Sequence, residues 1–109
     1  MNINFKPMGS FAGLDYTLPQ VANLEAFDAD EELMSLQRMV KAGIIPSGER
    51  IKEFIAACFQ RQELGSRVDE LLLCMISIFK LQEQECCPAT AAHKEALAIL
   101  DVYRFASLN

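Results

Sequence analysis

The chain has 109 residues, a formal net charge of −5, and 51% hydrophobic against 23% charged residues, which fits one folded domain and excludes a charge-rich disordered chain. Its negative field repels the phosphate backbone of nucleic acids, so direct nucleic-acid binding is not expected. No uninterrupted apolar run is longer than that from Leu71 to Ile76, which is far shorter than the roughly 18–20 residues of a membrane-spanning helix, so no membrane partner is expected.

The composition of residues 1–27 predicts that this segment is an ordered, non-helical amino-terminal arm. Two prolines and two glycines interrupt this segment too often for a long helix or strand. Its many large apolar side chains indicate that it docks on the core of the chain or on a partner. A short helix is expected from about 19 to 26, with Pro19 in its first turn. Residues 28–109 form the predicted helical domain.

The first predicted helix spans about 28–42. Asp28 or Asp30 can cap it, because a carboxylate oxygen accepts a hydrogen bond from a free N–H group of the first turn. Gly43 is placed where a left-handed residue would end the helix. The apolar face of this helix is narrow, and Met34 lies outside it.

The second predicted helix begins after the cap residue Ser47 and ends near 64–65. Its apolar residues follow helical spacing most clearly in this chain. Ser66 is then the predicted cap of the third helix. Because the turn between these two helices is short, they are expected to pack antiparallel against each other. The apolar face of the second helix consists of Ile51, Phe54, Ile55, Cys58 and Phe59.

The third predicted helix, from Val68 to about Glu85, contains the most apolar stretch of the chain. Its apolar arc is much wider than the ~100° stripe of a surface helix, so several neighbours are expected to bury it. Leu73 falls in the polar arc, whereas Cys74 and Leu81 widen the apolar side. The main buried face is predicted to be Val68, Leu71, Leu72, Met75, Ile76, Ile78 and Phe79.

The fourth predicted helix begins at Pro88 or Thr90. Small residues on one face let two helix axes approach closely, and Leu97 and Phe105 lie off this face. Four helices with short connections and no alternating strand pattern predict an all-α fold, either a small bundle or an array of helical hairpins. The small-residue face consists of Ala92, Ala96, Ile99, Tyr103 and Ala106.

The four cysteines do not resemble a disulfide framework. Cys58 and Cys74 lie on predicted apolar faces, and Cys86 and Cys87 are adjacent, so reduced thiols are expected. The amino terminus lacks the continuous apolar region of a secretory signal, and we therefore predict a cytoplasmic protein. The adjacent pair is also compatible with a redox role, although the acidic residues before it disfavour the thiolate.

The sequence contains no recognisable catalytic or metal-binding constellation. Cys86, Cys87 and His93 lack the fourth ligand of a structural zinc site, so no metal or other cofactor is predicted. His93 has no carboxylate neighbour on its helix to orient it and is predicted to be a surface histidine. Neither a nucleophile elbow nor a phosphate-binding loop is present. We therefore predict no catalytic residues and no enzyme activity.

Apolar residues outside the best helix faces indicate protein–protein contact, because a contiguous patch of such residues marks an interaction surface. The leading hypothesis is a small non-catalytic adaptor, chaperone or inhibitor. It binds another protein, or itself as a homo-oligomer, through the wide face of the third helix with help from the fourth. The alternative is a monomer whose arm covers these residues. The predicted partner-binding residues are Leu73, Cys74, Leu81, Leu97, Phe105 and Met34.

A second hypothesis starts from the densest charge cluster, Asp28, Asp30, Glu31 and Glu32. These four residues are predicted to form an acidic patch. With this patch the protein would occupy a basic groove on its target, as an inhibitor or nucleic-acid mimic. The simpler interpretation is that they cap the first helix and offset its macrodipole. Strong weakening of binding by salt would favour the inhibitor.

Overall fold

The computed structural model describes residues 3–4, 17–18, 21 and 23–107, with side chains described at 21 and 23–105. The domain within these residues is built from four α-helices, so the predicted all-α fold is confirmed. Single 3-10 turns occur at Leu24–Ala26 and Leu64–Ser66. The helices are α1 (Ala29–Lys41), α2 (Gly48–Gln60), α3 (Val68–Gln84) and α4 (Ala91–Ser107).

Two short strands are described in the amino-terminal arm. β1 (Ile3–Asn4) pairs antiparallel with β2 (Thr17–Leu18), with Ile3 opposite Leu18, and the backbone of β2 packs beside α2. The helix predicted for 19–26 is reduced to the 3-10 turn at Leu24–Ala26 in the part that is described. The rest of the arm, with most of its predicted apolar contacts, lies outside the described residues, and the boundary at residue 28 stays a prediction.

The predicted caps Asp28 and Ser47 form, and Thr90, one of the two residues at which the fourth helix was predicted to begin, caps α4. The side-chain oxygens of Asp28, Ser47 and Thr90 each accept a hydrogen bond from the N–H group three residues later, at 3.1, 3.1 and 3.2 Å. The prediction that Ser66 caps α3 is wrong. Its hydroxyl donates instead to the carbonyl oxygen of Glu63 at 2.9 Å, so α3 begins without a side-chain cap.

Three helices end in a left-handed residue, and Gly43 is one of these as predicted, with φ +80°. The other two are Gln62 (φ 60°) and Cys86 (φ 56°). After each of the three, the next N–H group donates to a carbonyl five residues earlier at 2.8 Å, which is the Schellman pattern. Because Gln62 takes this conformation, α2 ends at Gln60 and not near 64–65.

The four helices form two stacked antiparallel hairpins. α1 and α2 make the first hairpin and α3 and α4 the second, with α1 packed on α3 and α2 packed on α4. The predicted side-by-side packing of the second and third helices is wrong, because the turn at Leu64–Ser66 redirects the chain and places α2 and α3 on a diagonal. Each of the four helix–helix contacts contains one ion pair. These are Arg50–Glu32 between α1 and α2, Arg67–Asp30 between α1 and the start of α3, Lys52–Glu95 between α2 and α4, and Arg104–Asp69 between α3 and α4.

The core lies between all four helices and is fully apolar at its centre. Most of the face predicted for the third helix is buried there, and so is the predicted partner-binding residue Cys74, which is 5% exposed. Ile76 is the exception, since it is 48% exposed. The buried arc of α3 is shifted away from Ile76 because its neighbours are α1 and α4. The largest fully buried side chains are Phe54, Leu36, Ile51, Ile55, Leu64, Leu71, Met75, Ile78, Ile99 and Leu100.

Candidate interaction surface

A groove runs between α1 and α3. These helices are parallel, because Asp30 and Arg67 pair at their amino-terminal ends while Lys41 and Ser77 lie together further along. The groove contains two adjoining cavities of about 610 and 300 Å³, which share Gln37 and Glu70 as lining residues. We call this feature the α1–α3 groove.

The α1–α3 groove has an apolar floor and exposed apolar side chains at its edges. Leu33 and Cys74 are buried in the floor, each with 5% exposure. Met34 lines the larger cavity and is 55% exposed, while Leu73 lines the smaller cavity and is 65% exposed. Two large apolar side chains on different helices therefore face solvent around one groove.

The outer face of α3 continues this surface. At about 100° per residue, Asp69, Leu73, Ile76 and Lys80 fall within an arc of about 60° on the side of the helix opposite the core. All four are exposed, and the exposed fractions of Leu73 and Ile76 are 65% and 48%. We call these four residues the α3 stripe.

The six predicted partner-binding residues do not form one site. Met34, Leu73 and Cys74 come together at the α1–α3 groove, although Cys74 contributes only to its floor. Leu81 and Leu97 are half-buried, and Leu97 packs against the core. Phe105 is 71% exposed in the last turns of α4.

Sequence reasoning missed two exposed apolar residues. Ile76 was assigned to the buried face, although its distance of three residues from Leu73 places both on one side of a helix. Ile44 follows the end of α1 and is 54% exposed, and it lines neither cavity of the groove. No helical spacing applies to a residue in a loop, so the pattern gave no signal for Ile44.

The acidic cluster is largely engaged within the chain. Asp28 caps α1, Asp30 pairs with Arg67, and Glu32 accepts two hydrogen bonds from the Arg50 guanidinium at 2.9 and 3.0 Å. These hydrogen bonds from Arg50 to Glu32 raise the pKa of Arg50 above its usual value. Three residues of the cluster, Asp28, Glu31 and Glu32, also line a cavity of about 410 Å³, together with Val21, Ala26, Phe27, Ser35, Arg38, Glu53, Phe54 and Ala57.

The prediction of a surface histidine is wrong, because His93 is only 3% exposed. Its Nε2 lies 2.8 Å from the carbonyl oxygen of Pro46, so Nε2 carries a proton and donates. Its Nδ1 lies 2.8 Å from the Thr90 hydroxyl and 3.2 Å from the Gln82 amide nitrogen. These partners come from the loop before α2, the start of α4 and the end of α3, so spacing along one helix could not reveal them.

The four free cysteines fall into two classes. Cys58 and Cys74 are buried, and Cys86 and Cys87 are exposed. Burial raises the pKa of the Cys58 thiol from 9.0 to about 12 and also raises the pKa of Cys74. Since the thiolate is the reactive form, the buried thiols are protected in two ways: reagents cannot reach them, and a smaller fraction of them is ionised.

This difference predicts a biphasic thiol titration. When the native protein is treated with Ellman's reagent at pH 8, Cys86 and Cys87 are expected to react fast. Cys58 and Cys74 are expected to react only after denaturation. For Cys58 alone, a pKa of about 12 in place of 9.0 lowers the thiolate fraction about a thousandfold. In the double variant Cys86→Ser, Cys87→Ser the fast phase should vanish. Three or more fast thiols in the native wild type would contradict the burial of both core cysteines.

Neither the described residues nor known proteins identify a ligand for this chain. Among the residues that the structure describes, no three His, Cys, Asp or Glu side chains are grouped so that they could hold a metal ion. None of the described helices is both long enough and apolar enough to cross a membrane. No family model, curated protein or solved structure matches the sequence.

Proposed function

We propose that the protein is a non-catalytic interaction module that binds a protein partner through the α1–α3 groove and the α3 stripe. The observation that carries the proposal is the exposure of Leu73 and Met34, at 65% and 55%, around a groove with an apolar floor, continued on the outer face of α3 by Ile76, which is 48% exposed. A single exposed apolar residue needs no explanation, whereas several around one groove are typical of a contact surface.

The shape of this surface suits a helix as the bound element. A partner helix can place apolar side chains at positions i, i+3 or i+4, and i+7 in such a groove. Covering a leucine that is now exposed contributes about 1.5–3 kcal/mol when its burial is complete. Leu73, which is the most exposed of the three residues, is therefore the expected centre of the contact.

The acidic inhibitor is the weaker alternative. Three of its four acidic residues already serve as a cap or as ion-pair partners inside the domain, so less of their charge is available to a basic target. An apolar contact and an acidic contact also differ in their response to salt, because screening weakens charge pairs far more. The predicted cytoplasmic location belongs to the same proposal and fits four free thiols.

A matched pair of variants tests the proposed surface. Tagged wild type, Leu73→Lys and Ile44→Lys are used to capture partners from the native host, with identification by mass spectrometry. Both substitutions replace exposed residues, so each should change the free energy of unfolding by no more than about 0.5 kcal/mol. The partner should be retained by wild type and Ile44→Lys and lost, by about tenfold or more, with Leu73→Lys.

Two results would count against this function. Equal capture by Leu73→Lys and wild type would show that the surface is not the contact. Capture that disappears in about 0.5 M salt would instead favour the acidic inhibitor, since a Debye length of a few ångströms removes long-range charge attraction.

A further inference from the structure

The α3 stripe has the spacing of a coiled-coil seam. Its residues Asp69, Leu73, Ile76 and Lys80 are separated by four, three and four positions, which is the alternation that keeps one seam facing a partner helix. The two apolar residues lie at the centre and the two charged residues at the ends. This seam points to solvent in the monomer, since all four residues are exposed.

The order of charges along the α3 stripe makes two copies of it complementary when they pair antiparallel. When two copies lie antiparallel, with the two-fold axis between Leu73 and Ile76, Leu73 meets Ile76 of the second copy and Asp69 meets Lys80 of the second copy. Parallel pairing would instead place Asp69 against Asp69 and Lys80 against Lys80, and juxtaposed like charges disfavour such a complex. The sequence of the stripe thus selects antiparallel self-association.

The charged ends of the stripe are available for such pairing. No ion pair between described residues involves Lys80. Asp69 pairs with Arg104 at 3.2 Å, but the two side chains are 74% and 55% exposed, and an exposed pair of this kind is weak and easily shared. A carboxylate has a second oxygen that can accept from a lysine of another copy.

We propose that the partner on this surface is a second copy of the chain, bound through antiparallel pairing of the two α3 stripes. This inference rests on the proposed function and names its partner. Four residues per copy, extended by Met34 beside the groove, cover less than the ~800 Å² per partner of a standard interface. The homodimer is therefore expected to be weak and to form reversibly with concentration.

Charge reversal tests the pairing directly. Asp69→Lys and Lys80→Asp are each made in an Arg104→Gln background, so that no variant places a lysine beside Arg104. Sedimentation equilibrium between about 5 and 500 µM should show a monomer–dimer equilibrium for Arg104→Gln alone. Each charge variant alone should shift it towards monomer by about tenfold or more in Kd, because like charges then meet at both ends.

A mixture of the two charge variants is the decisive sample. Asp69→Lys has two basic ends and Lys80→Asp has two acidic ends, so the heterodimer contains two opposite-charge pairs. A one-to-one mixture should recover dimers that neither variant forms alone, and Leu73→Lys should abolish dimers in the wild-type background. Unfolding curves of all variants establish that each is folded before the comparison.

The outcomes separate this inference from the proposed function. A wild-type monomer at 500 µM, or a mixture that fails to dimerise, overturns the homodimer. If capture of a host protein still depends on Leu73 in that case, the proposed function stands with a different partner. If neither self-association nor capture depends on Leu73, both proposals are wrong.

Discussion

Replacing Gly48 by alanine is expected to lower the free energy of unfolding by about 2–3 kcal/mol, in the upper part of the range of about 1–3 kcal/mol that is typical of overpacking a tight core. A Cβ atom at this position would lie 2.5 Å from the Cβ of Ala92 and 2.6 Å from the backbone nitrogen of His93. Neither atom can move by side-chain rotation. The first turns of α2 and α4 must therefore separate, which opens the contact between the two hairpins.

Gly65→Ala is the matched control for this substitution. A Cβ atom there would meet only the hydroxyl of Tyr103, at 3.3 Å, and this side-chain end can shift. We expect a change of no more than about 0.5–1 kcal/mol at Gly65. Urea unfolding of both variants at one temperature gives the comparison. A Gly48→Ala variant as stable as wild type would mean that helix propensity, which favours alanine by about 1 kcal/mol, exceeds the steric cost.

The close approach at Gly48 shows where sequence reasoning succeeds and where it stops. Small residues on the fourth helix predicted that another helix comes close to it, and Ala92 is one of the residues at that contact. The sequence did not identify α2 as the neighbour, because spacing within one helix carries no information about its partner. The short loop favoured α3 as the neighbour of α2, and the turn at Leu64–Ser66 places α4 there instead.

Helix ends illustrate the same limit. Gly43 could be recognised, since glycine adopts the left-handed conformation at little cost. Gln62 and Cys86 adopt it as well, although for a residue with a Cβ it costs roughly 1–2 kcal/mol. Residue type gives no sign of this choice, so the end of α2 was placed too late. Asp28 and Ser47 could be predicted because a cap depends only on neighbouring residues.

The candidate surface was also partly predictable. Leu73 was identified because its position opposite the apolar arc follows from the helix period alone. Ile76 lies at the margin of that arc, so its exposure depends on which helices cover α3. Once α1 and α4 are known to be the neighbours, Ile76 joins Leu73 on the outside, and the seam proposed for self-association becomes visible.

Replacing His93 by alanine is expected to destabilise the fold by about 3 kcal/mol. The substitution removes the donor to the Pro46 carbonyl, which lies 2.8 Å from Nε2, and it removes the ring nitrogen that faces Thr90. Leaving a buried polar group without a partner costs about 1–3 kcal/mol, and the cavity left by the ring adds to this. Urea unfolding monitored by circular dichroism gives the value, and a loss below about 1 kcal/mol would be typical of a surface histidine.

Two further variants show whether the cost arises from the hydrogen bonds or from the lost volume. His93→Gln can still donate to Pro46 and should recover part of the loss, whereas His93→Leu fills the space and should not. Gln82→Leu should cost less than His93→Ala. It removes the amide donor to His93 Nδ1, but the Thr90 hydroxyl still reaches that nitrogen, and it also removes the buried Gln82 Oε1 atom, which has no hydrogen-bond partner among the described residues and carries a desolvation penalty. If His93→Ala and His93→Gln lower the free energy of unfolding equally, packing of the ring, and not its hydrogen bond to Pro46, stabilises the contact between α4 and the loop before α2.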